Sequence, residues 1–203
     1  SIYYYSLAAN NNNSKAQFNL GLVYSEGDGV PCDMNKSIYY YSLAANQNNK
    51  YAQSKLGNIY FFNQFIQRDF KKSIYYYGLS AQQDDLEAQI NLGNFYYDGN
   101  YIKRDFEKSI YYYSLASKQN EPTANFMLGL IYLNDDYIKK DINKAIYYLS
   151  LATNQNFAKA QYILGAIYDE GKYVKQDINK AIYYYSLAAN QNHPIAQYNL
   201  GVI

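Results

Sequence analysis

Residues 14–49, SKAQFNLGLVYSEGDGVPCDMNKSIYYYSLAANQNN, decide the architecture, because the chain repeats them. The pair Leu20-Gly21 returns as Leu56-Gly57, Leu92-Gly93, Leu128-Gly129, Leu164-Gly165 and Leu200-Gly201, always 36 residues on, with no insertion or deletion. The segment SIYYY begins at Ser1, Ser37, Ser73 and Ser109, then becomes AIYYL at Ala145 and AIYYY at Ala181 on the same period. Self-similarity at a fixed period of this length marks a stack of supersecondary units rather than a globule with a single centre. It also explains the composition. Of 29 tyrosines among 203 residues, 22 fall in the columns of Tyr3, Tyr4, Tyr5 and Tyr24, broken only by Leu149.

Each unit reads as two helices. Ala16, Leu20, Val23 and Tyr24 share one face at helical spacing, which predicts helix A from about Ser14 to Glu26. Gly27-Asp28-Gly29-Val30-Pro31 then reads as a turn whose glycines permit positive φ. Helix B is predicted from Asp33 to about Asn46, with Ser37, Tyr40, Tyr41, Ala44 and Ala45 as its apolar stripe. Asp33, Asp69, Asp105, Asp141 and Asp177 stand where a side chain should accept the free N–H groups of the first turn. Asn12, Asn48, Asp84, Asn120, Asn156 and Asn192 form a column suited to the left-handed conformation that ends a helix. Two helices of about 13 residues cannot bury their own faces, so neighbouring units must cover them. The glycine of each helix A costs about 1 kcal/mol against Ala. Close approach of a neighbouring backbone is the reason expected for it.

The run Ala16-x-x-x-Leu20-Gly21-x-x-Tyr24-x-x-Gly27-x-Gly29-Val30-x-x-Asp33-x-x-Lys36-Ser37-x-x-Tyr40-Tyr41-x-x-Ala44-Ala45 resembles the Sel-like repeat, a tetratricopeptide-like helical hairpin. The resemblance covers the whole chain as one array: a partial unit 1–13, repeats 14–49, 50–85, 86–121, 122–157 and 158–193, and a partial unit 194–203. Its departures lie in the turns. Asn63 and Asp135 stand in the Gly27 column, and Phe65, Tyr101, Tyr137 and Tyr173 in the Gly29 column, so those turns should differ from the first. The lone Cys32 sets aside the subgroup with a disulfide in each repeat. The resemblance implies an all-α, right-handed superhelical solenoid, here of twelve helices with one incomplete at each end, that serves as a protein-binding scaffold. A regulatory or targeting segment of a larger enzyme, such as a protein kinase, is the alternative use it allows.

Composition narrows the chemistry. Eighteen Lys and Arg against 17 Asp and Glu give a net charge of +1, which supplies no field for nucleic acid. One Cys and one His exclude a disulfide framework and a multi-ligand zinc site, and suggest a reducing, cytoplasmic setting. No apolar run nears the roughly 20 residues of a bilayer span, and no signal-peptide pattern is present. His193, before Pro194, reads as an exposed turn residue, and Cys32 as a loop thiol without a base nearby. Asp84-Asp85 and Asp135-Asp136 match no calcium loop, and Asn12-Asn13-Ser14 is a glycosylation triplet too short to carry weight. No catalytic residue, metal ligand or cofactor site is expected, and the chain is read as not an enzyme.

Three surfaces are left for a partner. In tetratricopeptide-like solenoids the second face of helix A lines the concave groove. Here that face carries Phe18, Asn19 and Leu22, then Asn58 and Phe61, then Ile90, Asn94 and Tyr97. It continues through Phe126, Leu130 and Leu133 to Tyr162 and Tyr198. Asn amides can serve both donors and acceptors of a peptide backbone, while aromatic rings anchor side chains. The alternative is that several of these residues simply pack between adjacent A helices. On helix B, Tyr3, Tyr39, Tyr75, Tyr111, Tyr147 and Tyr183 each precede a Leu by four residues. These rungs either form an apolar partner patch or cover one another along the stack. The turn ridge, residues 27–36 and their echoes, holds 13 Lys and Arg against 9 Asp and Glu, so it is either a solvated edge or a site for an acidic segment. Because neither terminal unit trades its apolar columns for charges, flanking repeats, another domain or end-to-end association is expected to cover the two ends.

Overall fold

A computed structural model of the chain describes residues 2–62, 66–134 and 138–203. Ser1 and the turn positions Asn63, Phe65, Asp135, Asp136 and Tyr137 singled out above lie outside the described residues. Among those described there are twelve α-helices and no strand, so the all-α expectation holds. The chain divides into two compact units, residues 1–104 and 105–203.

The first unit contains α1 (Ile2–Asn10), α2 (Ser14–Glu26), α3 (Met34–Asn46), α4 (Lys50–Phe62), α5 (Phe70–Ala81) and α6 (Leu86–Asp98). Its hairpins are α2 with α3 and α4 with α5, and each hairpin also packs on the helix before and after it in sequence. The second unit contains α7 (Phe106–Lys118), α8 (Pro122–Leu133), α9 (Ile142–Asn154), α10 (Ala158–Glu170), α11 (Ile178–Ala189) and α12 (Pro194–Val202). There the hairpins are α8 with α9 and α10 with α11, flanked by α7 and α12. Even-numbered helices are type A and odd-numbered ones type B.

The expected caps are in place. Asp33, Asp69, Asp105, Asp141 and Asp177 precede their helices in extended conformation, and each accepts the N–H three residues on at 3.0 Å. Those backbone donors, chiefly that of Lys108, hold the Asp105 carboxyl below the usual carboxylate range. The column from Asn12 to Asn192 turns through φ of 58–62° at all six positions. A short polar side chain adopts this region at least cost among non-glycine residues. Helix A has caps as well: Asn13, Asn49 and Asp85 accept from the N–H of Ala16, Ala52 and Ala88.

The glycine of helix A has a different cause from the one expected. A Cβ on Gly21 would lie 2.5 Å from the ring of Tyr41, and on Gly57 2.6 Å from that of Tyr77. On Gly165 it would meet the ring of Tyr185 at 2.5 Å, and on Gly129 the side chain of Leu149 at 2.6 Å. A side chain of the partner helix B, rather than a backbone, occupies the space. Tyr41, Tyr77 and Tyr185 are buried through this contact. The backbones are close too: the Ser37 and Ser73 hydroxyls donate to the carbonyls of Gly21 and Gly57 at 2.8 and 2.9 Å. Gly57→Ala is therefore expected to destabilise by about 1–3 kcal/mol through overpacking, less the helix propensity gained. Gly78 has nothing within 4 Å of its would-be Cβ, so Gly78→Ala should stabilise by about 0.5–1 kcal/mol. Urea unfolding of the two variants checks the opposite signs; equal shifts would remove the ring-on-glycine explanation.

A polar clamp also runs through the core. Gln17, Gln53, Gln89 and Gln161 are buried on the A helices. Gln17 donates to the Ala9 carbonyl at 3.3 Å and accepts from Gln47 at 2.6 Å, and Gln47 donates in addition to Asn12. Gln83 repeats this toward Gln53 and Asn48, and Gln191 toward Gln161 and Asn156. Each clamp ties the turn before a hairpin to the turn after it. Buried amides left unpaired would cost about 1–3 kcal/mol each, so the pairing fixes the stacking register.

Candidate binding surfaces

Helices α2, α4 and α6 of the first unit carry Phe18, Asn19, Leu22, Asn58, Phe61, Ile90, Asn94 and Tyr97, all half-buried. Helices α8, α10 and α12 of the second carry Phe126, Leu130, Leu133 and Tyr162, half-buried, and Tyr198, 71% exposed. Many of them do pack within the stack. Phe18 and Leu22 lie on the core around Tyr41 and Leu56, and Phe126 and Leu133 on the core around Leu149 and Leu164. Phe126 also meets Phe157 at 5.2 Å between centroids. Asn58 is already engaged, accepting from the Tyr77 hydroxyl at 2.5 Å and donating to Glu87 at 2.9 Å.

Two clefts open on this face of the first unit. One, of about 410 Å³, is lined by Lys15, Phe18 and Asn19 of α2, by residues 48–51 and by Gln83. The other, of about 230 Å³, is lined by Phe61, Phe62, Asn91, Asn94, Phe95, Asp98, Asn100 and Tyr101. Phe61 is the hub of its aromatic wall, with Phe62, Phe95 and Tyr101 at 4.3, 4.6 and 5.0 Å. Tyr101, which replaces a glycine in the first turn's pattern, also stacks on Phe70 at 4.5 Å. The departure in the turn thus builds part of the cleft.

On helix B the tyrosines of the rungs remain exposed. Tyr39, Tyr75, Tyr111, Tyr147 and Tyr183 each pack edge-on against the next tyrosine of their own helix and stay more than half exposed. That next tyrosine is the better buried. Tyr40, Tyr76, Tyr148 and Tyr184 stack on Tyr24, Tyr60, Tyr132 and Tyr168 of their hairpin partners at 5.7–5.8 Å. Burial, joined by the neighbouring tyrosines, raises the pKa of these four phenols.

The turn ridge is neutralised in part by its own capping residues. Lys36, Lys72, Lys108, Lys144 and Lys180 pair with their capping Asp at 3.4–3.7 Å. Four of them also lie 4.8–5.1 Å over the ring of the stacked tyrosine on helix A. Tyr173 sits between Lys172 and Lys140, whose ammonium groups lower its pKa, Lys172 most. Cys32 is exposed and directs its thiol at the Ser25 carbonyl, 3.4 Å away. Arg104 and Gln176, each one unit on from Arg68 and Lys140 in the column of Cys32, donate to the Asp98 and Asp169 carbonyls at helix ends. His193 is no bare turn residue. Its Nδ1 accepts the Ala196 N–H at 3.3 Å, capping α12, and its ring stacks on Tyr162 at 4.7 Å.

The repeat pattern carried by these helices matches the Sel1 repeat over residues 1–13, 14–49, 50–85, 86–121, 122–157 and 158–193. The chain belongs to the Sel1 repeat family. A protective antigen of uropathogenic Escherichia coli with an SLR fold is similar to this Sel1 repeat protein at 31% identity and a TM-score of 0.89. A Sel1 repeat protein from Oxalobacter formigenes is similar at 29% identity and a TM-score of 0.88. Each likeness covers 99% of the present chain, which spans 43% and 59% of those two chains respectively. No curated protein matches the sequence. Sel1 repeats are a fold commonly used for protein–protein interaction and are generally non-catalytic. Among the described residues of this Sel1 repeat protein, no helix is long and apolar enough to cross a membrane, and no group of three or more His, Cys, Asp or Glu is placed to hold a metal ion.

The glutamine clamp and the helix A caps escaped the reading of the sequence. Their signal was present: Gln17, Gln53, Gln89 and Gln161 recur on a face otherwise made of Ala, Leu and Gly, as do Gln47, Gln83, Gln119, Gln155 and Gln191 after helix B. A polar residue repeated on a buried stripe implies a partner repeated at the same period.

Proposed function

We propose that the chain is a non-catalytic scaffold that holds a segment of a partner protein against the second face of its A helices, the face expected to line the groove. The observation that carries this reading is the pair of clefts on the first unit, which contain Phe18, Asn19, Phe61 and Asn94 among their lining residues. Both combine aromatic walls with amide side chains, the mixture that anchors a peptide side chain and orients its backbone. Half-buried rings that also pack on the core suit the task, because they are held in place before a partner arrives and lose little freedom on binding. On the second unit the corresponding face offers Leu130, Tyr162 and Tyr198.

The test is affinity capture with the intact chain and three single variants. Asn19→Glu and Leu130→Glu place a charge on the A face of either unit, and each is expected to weaken a captured partner at least tenfold. Tyr39→Ser removes an exposed ring of helix B and is expected to leave capture unchanged. If Tyr39→Ser abolished capture while both A-face variants kept it, the A face would not be the binding surface.

A further inference from the structure

The larger of the two A-face clefts gathers in and beside it most of the positive charge that lies off the turn ridge. Thirteen of the 18 Lys and Arg lie on the turn ridge, and only Lys15, Lys50, Lys55, Lys118 and Lys159 lie elsewhere. Three of those five stand on α2 and α4. Lys15 and Lys50 line the cleft, and Lys55 is one helical turn beyond the cleft residue Tyr51. No carboxylate lines it. The acids at the start of the next A helix are occupied: Asp85 caps α6 and accepts from Ser54, and Glu87 accepts from Asn58. Whereas Lys36, Lys72, Lys108, Lys144 and Lys180 of the ridge are paired with their capping Asp, Lys15 and the Asn19 amide, one turn apart on α2, have no hydrogen-bond or ion-pair partner among the described residues. Among the described residues Lys50 donates to the Gln83 carbonyl alone, at 3.3 Å, with its ammonium 5.4 Å from the centre of the Tyr51 ring. The apolar wall is fixed: Phe18 lies between Tyr41 and Tyr51, at 5.7 and 6.2 Å, and Tyr51 is 58% exposed.

We infer that this cleft takes an acidic peptide segment, its carboxylates on Lys15, Lys50 and the Asn19 amide, and an adjoining apolar side chain against Phe18 and Tyr51. The inference rests on the A-face reading above and names the partner chemistry for one part of it. Ammonium groups without a carboxylate partner beside an apolar wall reward a carboxylate next to a hydrophobic residue, and they penalise a basic segment, which would add unpaired charge to a site with no acid. Because Lys15 is exposed, the attraction is partly screened and must weaken as salt is added.

A phage-displayed library of random dodecapeptides, selected on the intact chain, tests this. Enriched peptides are expected to carry Asp or Glu beside an aromatic or aliphatic residue. They should bind Lys15→Gln/Lys50→Gln at least tenfold more weakly than the parent, and lose several-fold in affinity between low and physiological salt. Phe61→Ala, in the other cleft, separates the two readings. Peptides that are neutral or basic and indifferent to the double lysine variant, yet weakened by Phe61→Ala, would overturn the acidic preference and leave the A-face reading standing. Peptides indifferent to both variants, or no enrichment at all, would overturn both.

Discussion

Replacing Tyr77 with Ala is expected to cost about 3–5 kcal/mol, the range for emptying a large buried aromatic site. The side chain is fully buried, lies flat on Gly57, and donates its hydroxyl to Asn58 at 2.5 Å. Its ring is also 5.8 Å from that of Phe95 on the following A helix. Truncation therefore opens a cavity inside the α4–α5 hairpin. The chain contains its own milder experiment. In the repeat 122–157 this column holds Leu149, fully buried against Gly129. Tyr77→Leu should accordingly cost less than half as much as Tyr77→Ala. Urea unfolding followed by circular dichroism measures both. A loss below about 1 kcal/mol for the alanine variant would show that the ring is not what holds the hairpin together.

The second large effect is alkaline. Burial raises the phenol pKa of Tyr41 and Tyr77, and pushes Tyr185 up to about 12, with the Asp169 charge adding to burial and an Asn199 hydrogen bond opposing it. In an unfolded chain tyrosine ionises near pH 10. Below that value both states keep their protons and the contribution to stability is complete. Between about pH 10 and 12 the unfolded chain loses protons that the folded chain retains, so stability falls as pH rises. The urea midpoint is expected to stay level from neutral pH to about pH 9 and to drop steeply above pH 10. Tyrosinate absorbance should show Tyr173 ionising early, and Tyr41, Tyr77 and Tyr185 only as the chain unfolds. Changing Tyr41, Tyr77 and Tyr185 together to Leu, as at Leu149, should flatten the drop. A midpoint unchanged at about pH 11 in the parent would contradict the account.

Both effects come from one column of the repeat, and that column shows how far a sequence of this kind can be read. The 36-residue period, the paired helices and their limits at Ser14, Glu26 and Asn46 were legible because each depends on local chemistry. Asp33 caps because its carboxylate reaches a backbone N–H three residues away, and Asn12 turns left-handed because its own side chain tolerates it. Repetition multiplied these short-range signals until no other fold fitted them. The A face was legible in the same way, as a second stripe on a helix whose first stripe is core.

Contacts between residues distant in sequence were decided only in three dimensions. Gly57 recurs in the sequence whether a backbone or a ring lies above it; only the packing of α4 on α5 shows the Tyr77 ring there. Gln17 looks like an ordinary polar helix residue until Gln47, 30 residues on, is seen to donate to it. Likewise Tyr39 and Tyr40 are identical neighbours in the sequence, yet Tyr40 stacks on Tyr24 while Tyr39 stays 58% exposed. The cationic cleft follows the same rule, since Lys15 and Lys50 come together only when α4 is laid beside α2. The sequence by itself determined the repeating hairpin, because its caps and stripes act over three or four residues. The tertiary structure decided which equal-looking side chains are buried, paired or free, because those outcomes depend on what the next hairpin brings within reach.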